Sequence, residues 1–146
     1  MIRPKKPEDI EKLRIGGKHH SEILKKLAKK AVPGASSTDL NEEAERLLKE
    51  YGDKAAFLGY RPENARRPFP ATLCVSVNEV IVHGIPNENP ITLEDGDIVT
   101  IDLGLSHKGM ITDAAITVPV GKVDKESKKL IEATREAMHR GIKAIK

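Results

Sequence analysis

Two aspartates interrupt apolar, β-prone runs: Asp102 follows Ile98-Val99-Thr100-Ile101, and Asp113 stands between Ile111-Thr112 and Ala114-Ala115-Ile116. An ionised carboxylate cannot be buried there alone, so each must reach solvent, pair with a cation or backbone donors, or bind a metal. Their numbers add to 215, and a two-residue hairpin tip at His107-Lys108 pairs positions with that sum, setting the carboxylates opposite each other on one face. Like charges so placed repel, and a divalent cation turns the repulsion into ligation. A type I turn with Gly109 as a bulge shifts the sum to 216 and separates them onto opposite faces. They are then strand-end aspartates bonded to turns or to Lys and Arg.

His83 lies in Val82-His83-Gly84-Ile85-Pro86, where Gly and Pro hold a loop after a β-prone run and an imidazole could project into a cleft or simply meet solvent or a carbonyl. His19-His20, His107 and His139 are expected in surface or packing roles, since none has the spacing of a helical metal site. Cys74 has no neighbouring His or Lys and reads as a small buried hydrophobe.

Several elements must position these groups. Ile10, Leu13, Gly17, Leu24, Leu27 and Ala31 recur at helical steps over residues 7–32, with Pro7 at the first turn and Pro33-Gly34 at the stop. Gly16-Gly17 inside this helix implies close approach of a neighbour or a bend. A second helix begins at Thr38 or Asp39, with Glu42 answering Asp39, and ends at Gly52. Three prolines and three arginines between Arg61 and Pro70 demand an irregular surface loop. Strands are expected at Leu73 to Val77, Val80 to Val82 and Ile98 to Leu103, with Met110 to Val120 returning from a hairpin, and a last helix covers Glu126 to Lys146.

Composition narrows the classes. In 146 residues, 25 basic against 22 acidic side chains leave a net charge of +3, and the length suits one domain. The Lys25-Lys26 and Lys29-Lys30 cluster reads as the solvated face of a helix, and 3% aromatics with no Trp argue against specific nucleic-acid binding. No apolar run is long enough for a membrane span and the first residues lack a signal-peptide core, so the expected address is the cytoplasm. One cysteine excludes an internal disulfide framework.

The run Phe69 to Glu79, then Val82-His83-Gly84-Ile85-Pro86, then Asp95 to Asp102 resembles type I methionine aminopeptidases. The Pro33-Gly34 stop and Thr38-Asp39-Leu40 restart are similar to that family's N-terminal half. The resemblance implies metal ligation by Asp102 and Asp113, a catalytic and substrate-contacting role for His83, and a methionine pocket lined by Tyr60, Phe69 and Cys74. It further implies divalent metal ions (Mn, Fe(II), Co or Zn), action on the N-terminal methionine of new polypeptides, and a water activated by metal ligation.

Departures from the pattern shape the expectation. The family's remaining ligands, a histidine and two glutamates, and its general base lie in a second half, whereas after Asp113 this sequence has only His139 and scattered acidic residues. Residues 125–146 look like that half's first helix, Thr112 replaces a common Gly, and the Arg61 to Arg67 stretch lengthens a tight loop. The expected fold is α+β, one domain over 1–146: half of a pita-bread fold, with helices on one face of a curved, mainly antiparallel sheet. An incomplete half-enzyme of little activity that self-associates or meets a complementing second half is expected. The alternative is a non-catalytic pita-bread module that binds peptides or proteins.

Overall fold

A computed structural model describes residues 4–145. Helix α1 (Pro7–Lys30) starts with Pro at its first turn beside Glu8 and Asp9, and ends on Lys29 and Lys30, charges that complement the helix dipole. Its lysines are surface groups, with Lys26 and Lys30 reaching Glu50 and Glu43 across the groove at 3.8 and 3.1 Å. Helix α2 (Ser37–Tyr51) begins earlier than Thr38 or Asp39. The Ser36 hydroxyl accepts from Thr38 N at 3.1 Å while Asp39 accepts from Ser36 N at 3.0 Å, so Asp39 answers a cap rather than being one. Gly52, at φ 71°, closes the helix as expected.

Four strands follow: β1 (Lys54–Ala55), β2 (Leu73–Val77), β3 (Ile98–His107) and β4 (Met110–Pro119). Strand β3 is central, with β4 along one edge and β2 and β1 sharing the other, all antiparallel. The hairpin tip is Lys108-Gly109, both left-handed at φ 47° and 82°, a primed turn that matches the sheet's twist. The ladder sum is therefore 217, correcting both 215 and 216: Asp102 pairs with Ala115 and Asp113 with Gly104. A shift of two residues preserves facing, so the two aspartates share a face as diagonal neighbours.

Val80 to Val82 is not a strand. Asn78 turns left-handed at φ 52° directly after β2, and Ile81 is left 82% exposed. Helix α3 (Lys125–Ala144) lies by β4 with none of its described residues buried. Among the described residues no helix is long and apolar enough to cross a membrane.

The core forms where β3 turns Val99, Ile101, Leu103 and Leu105 toward Ile23 and Leu27 of α1 and Leu40, Ala44 and Leu47 of α2. This period-two alternation leaves Thr100, Asp102 and Gly104 on the opposite, open face. Gly16 is where α1 meets the sheet, since an added Cβ would lie 2.9 Å from His107 Cβ, whereas Gly17 has nothing within 4 Å. Gly16→Ala is therefore expected to destabilise by about 1–3 kcal/mol. Gly17→Ala should be neutral or stabilising by up to about 1 kcal/mol. Denaturant midpoints of the two variants check the difference, and equal midpoints would contradict this packing.

Candidate metal centre and substrate pocket

The open face is built around Gly104. Its missing side chain admits the Phe57 ring, which an added Cβ would meet at 2.4 Å, and Phe57 sits edge-on to Phe69 with centroids 6.3 Å apart. Phe69 is held by its backbone, donating to Tyr60 O and accepting from Gly59 N, both at 2.9 Å, at the base of the Arg61 to Pro68 loop. Cys74 pairs with Asp102 across β2 and β3 and so faces the same side. Burial, reinforced by the Asp102 and Asp113 carboxylates, pushes its thiol up to about 11. It stays a neutral thiol at pH 7.

The His83 loop is stitched down on three sides. Gly84 accepts from Val75 N at 3.0 Å and donates to Ser76 Oγ at 3.1 Å, which fixes the loop against β2. Pro86 O accepts from the Ser37 and Thr38 hydroxyls at 2.9 and 3.1 Å, tying it to the start of α2. Asn87 Nδ2 donates to Pro70 O at 2.9 Å, and Arg67 forks onto Glu88. Between these ties His83 adopts φ 62°, a left-handed conformation that a histidine holds only when its surroundings impose it.

Tyr60, Phe69, Cys74, His83, Asp102 and Asp113 all border one cleft of about 460 Å³. Phe57 and Ile85 border it too, and neither stands out in the sequence. Asp102 has its carboxyl raised above the usual range, first by burial and then by the Asp113 carboxylate, against the pull of His83. Thr112 points the other way. Its hydroxyl lies 2.9 Å from Nδ1 of buried His20, whose burial lowers its pKa and keeps it neutral. A larger groove of about 590 Å³ between α1 and α2 is lined by charges that already pair with one another, Lys30 and Arg46 with Glu43.

The raised carboxyl has a sign that can be tested. Ionised Asp102 destabilises the folded chain, a penalty present above its raised pKa and lost as pH falls toward the ordinary carboxylate value. In metal-free buffer at pH 7, Asp102→Asn should stabilise by a few tenths to about 1 kcal/mol. Thermal melts from pH 7 down to pH 4 should show the advantage shrinking, and a variant less stable at pH 7 would contradict the repulsion.

An antiparallel sheet backed by two helices, with its cleft on the open face, is the layout of half a pita-bread fold, and solved structures bear this out. A methionine aminopeptidase crystal structure from Thermotoga maritima matches at TM-score 0.92 and 38% identity, over 100% of this chain and 56% of that one. Aminopeptidase P of Escherichia coli matches at TM-score 0.79 and 25% identity, over 97% of this chain and 30% of that one. The methionine aminopeptidase of Aquifex aeolicus is 40% identical, covering 92% of this chain and 52% of its own length. Methionine aminopeptidase 1 of Bacillus subtilis is 38% identical over 100% and 56%. This chain therefore spans about half the length of the curated relatives it matches. The model of metallopeptidase family M24 fits residues 11–146, and the chain belongs to that family.

Proposed function

We propose that this chain is the N-terminal half of a methionine aminopeptidase, which removes methionine from the N-terminus of new polypeptides. The observation that carries this reading is the meeting of a carboxylate pair, an imidazole and an apolar pocket around one cleft. The pair suits a divalent ion, because its donors are hard oxygens and because Asp102 is already penalised by its neighbour's charge. Asp102 and Asp113 are the residues that would hold the metal, with Mn, Fe(II) or Co favoured over Zn by an oxygen-rich donor set. When bound, such an ion polarises the scissile amide and acidifies water.

The chain's own side chains supply binding and orientation. Phe57 and Phe69 offer ring edges to a thioether, and neutral Cys74 closes the pocket with a small, polarizable surface. Tyr60, 62% exposed, stands at the mouth, where it can cover the bound side chain. His83 projects from its loop as the donor that can meet negative charge developing on the substrate carbonyl oxygen. Among the described residues bordering the cleft, the only carboxylates are the two assigned to the metal, so a general base has to come from elsewhere. The remaining ligands and base would lie in the second half of the fold, on the same polypeptide or on a complementing chain, with α3 (Lys125–Ala144) as its first helix. Self-association is the other way to cover the open face, and the cytoplasm is the compartment where new polypeptides present their first methionine. A non-catalytic binding module has no reason to place two aspartates together.

The test is release of the first residue from tripeptides that differ only at that position, by this chain together with the second half of the fold, in Mn²⁺ or Co²⁺. Methionine should be released at least 100-fold faster than lysine or glutamate, since Arg67 at the cleft is already paired with Glu88 and the two aspartates are those assigned to the metal. Equal rates for all first residues would overturn the proposal.

A further inference from the structure

On the helix-covered side of the sheet, three side chains from three separate elements converge: His19 from α1, Asp53 from the turn between α2 and β1, and His107 from the end of β3. The Asp53 side chain has 0% exposure and lies between two imidazoles, with Oδ2 2.7 Å from His19 Nδ1 and Oδ1 2.6 Å from His107 Nδ1. One potential ligand atom from each residue lies within 4.8 Å of the other two. The two rings stand edge-on, centroids 5.3 Å apart. Among the described residues, these histidines are the only cationic partners of Asp53.

A wholly buried carboxylate needs a positive charge beside it. A proton on His107 is a poor source, because His107 Nε2 is buried with no hydrogen-bond partner and would become a donor with nothing to accept from it. A divalent ion supplies two positive charges where a proton on either imidazole supplies one, and His107 bound through Nδ1 keeps its own proton on the unpartnered Nε2. Two imidazole nitrogens and one carboxylate oxygen are the donor set of a three-ligand zinc site, with the fourth position left to water. His19, with 21% side-chain exposure, leaves a way in for both ion and water. Gly16, one turn before His20 on α1, is what brings the helix close enough to His107 for the three groups to meet.

We propose that His19, Asp53 and His107 bind a zinc-type divalent ion that clips α1 and the α2–β1 turn to the end of the central strand. This site is separate from the cleft, since His107 and Asp102 lie on opposite faces of β3. The present spacings are those of hydrogen bonds. Holding zinc at about 2.0 to 2.1 Å from each donor sets the donors roughly 3.3 Å apart, so each His–Asp53 contact opens by about 0.6 Å while the three-atom set, now spread over as much as 4.8 Å, draws together.

The experiment uses the chain carrying Asp102→Asn and Asp113→Asn, which silences the cleft carboxylates, titrated with Co²⁺ and then with Zn²⁺. One equivalent of Co²⁺ should develop the intense visible bands of a four-coordinate ion, and one equivalent of Zn²⁺ should abolish them with a dissociation constant of about 10 μM or tighter. Adding His19→Gln should weaken binding at least 10-fold and remove the bands. If that variant fails to fold, Asp53→Asn, which keeps the shape and hydrogen-bonding capacity of the side chain, replaces it with the same expectation. Absence of the bands in the parent overturns the proposal whatever the variants do. So does an unchanged spectrum in a folded His19→Gln or Asp53→Asn.

Discussion

Replacing Gly84 by Ala is expected to cost about 3 kcal/mol or more and to free His83 from its place beside the cleft. The added Cβ would fall 2.0 Å from Val75 O, 2.8 Å from Val75 C and 3.1 Å from Ser76 Cα. All three atoms belong to the backbone of β2, which is held in register by β3 and has no rotamer to escape into. The loop must lift instead, losing the hydrogen bond from Val75 N to Gly84 O at 3.0 Å and that from Gly84 N to Ser76 Oγ at 3.1 Å. The left-handed conformation of His83 at φ 62° then has nothing to enforce it. Denaturant unfolding measures the cost, and the His83 imidazole resonance reports its surroundings in whatever fraction still folds. A loss below about 0.5 kcal/mol would show that the loop does not pack on β2 in this way.

The second large effect is on turnover. In the proposed enzyme, completed by its second half, Asp102→Ala should lower the rate of methionine release by at least 10³-fold, because on that proposal it removes a metal ligand, and even groups behind ligands are worth about 10- to 100-fold. The loss cannot be charged to unfolding. Asp102 lies on the open face, outside the buried cluster, and removing its ionised carboxylate relieves the repulsion from Asp113. In metal-free buffer the variant should therefore melt no lower than the parent, while with metal supplied it is inactive. A variant that lost stability and activity in proportion would instead mark Asp102 as a structural residue.

What could be read from the sequence follows from how local each cause is. The first helix, the stop at Gly52 and the irregular Arg61 to Pro70 stretch depend on proline, glycine and apolar spacing within a few residues, and they stand as expected. The shared face of Asp102 and Asp113 was legible only as one of two parities, which the turn types considered left open. The true register was not, since it turns on Lys108 accepting a left-handed conformation beside Gly109. Val80 to Val82 has strand-like side chains, but the left-handed turn at Asn78 carries it away from β2 and the free edge of β2 is met by Gly84 instead, so tertiary structure overrides propensity there.

The histidines were legible only in part. His107 was expected at a hairpin tip in a surface or packing role, and the alternation Ile101, Leu103, Leu105 decides between the two by assigning it to the helix-facing side, where it is buried. His19 and Asp53 carried no such signal, being 34 positions apart in the chain and brought together only by packing of α1 on the sheet. Phe57 was missed because its place depends on bare backbone at Gly104, a vacancy visible only once β3 is paired.

The central claim is that Asp102 and Asp113 together hold the metal of an aminopeptidase site, and anomalous diffraction tests it most directly. Crystals of the chain completed by its second half and soaked in Mn²⁺, measured at the manganese edge, should show a strong anomalous peak between the two carboxylates. The peak should vanish in Asp102→Ala. A completed, active enzyme with no peak at that pair, or with an unchanged peak in Asp102→Ala, would contradict it.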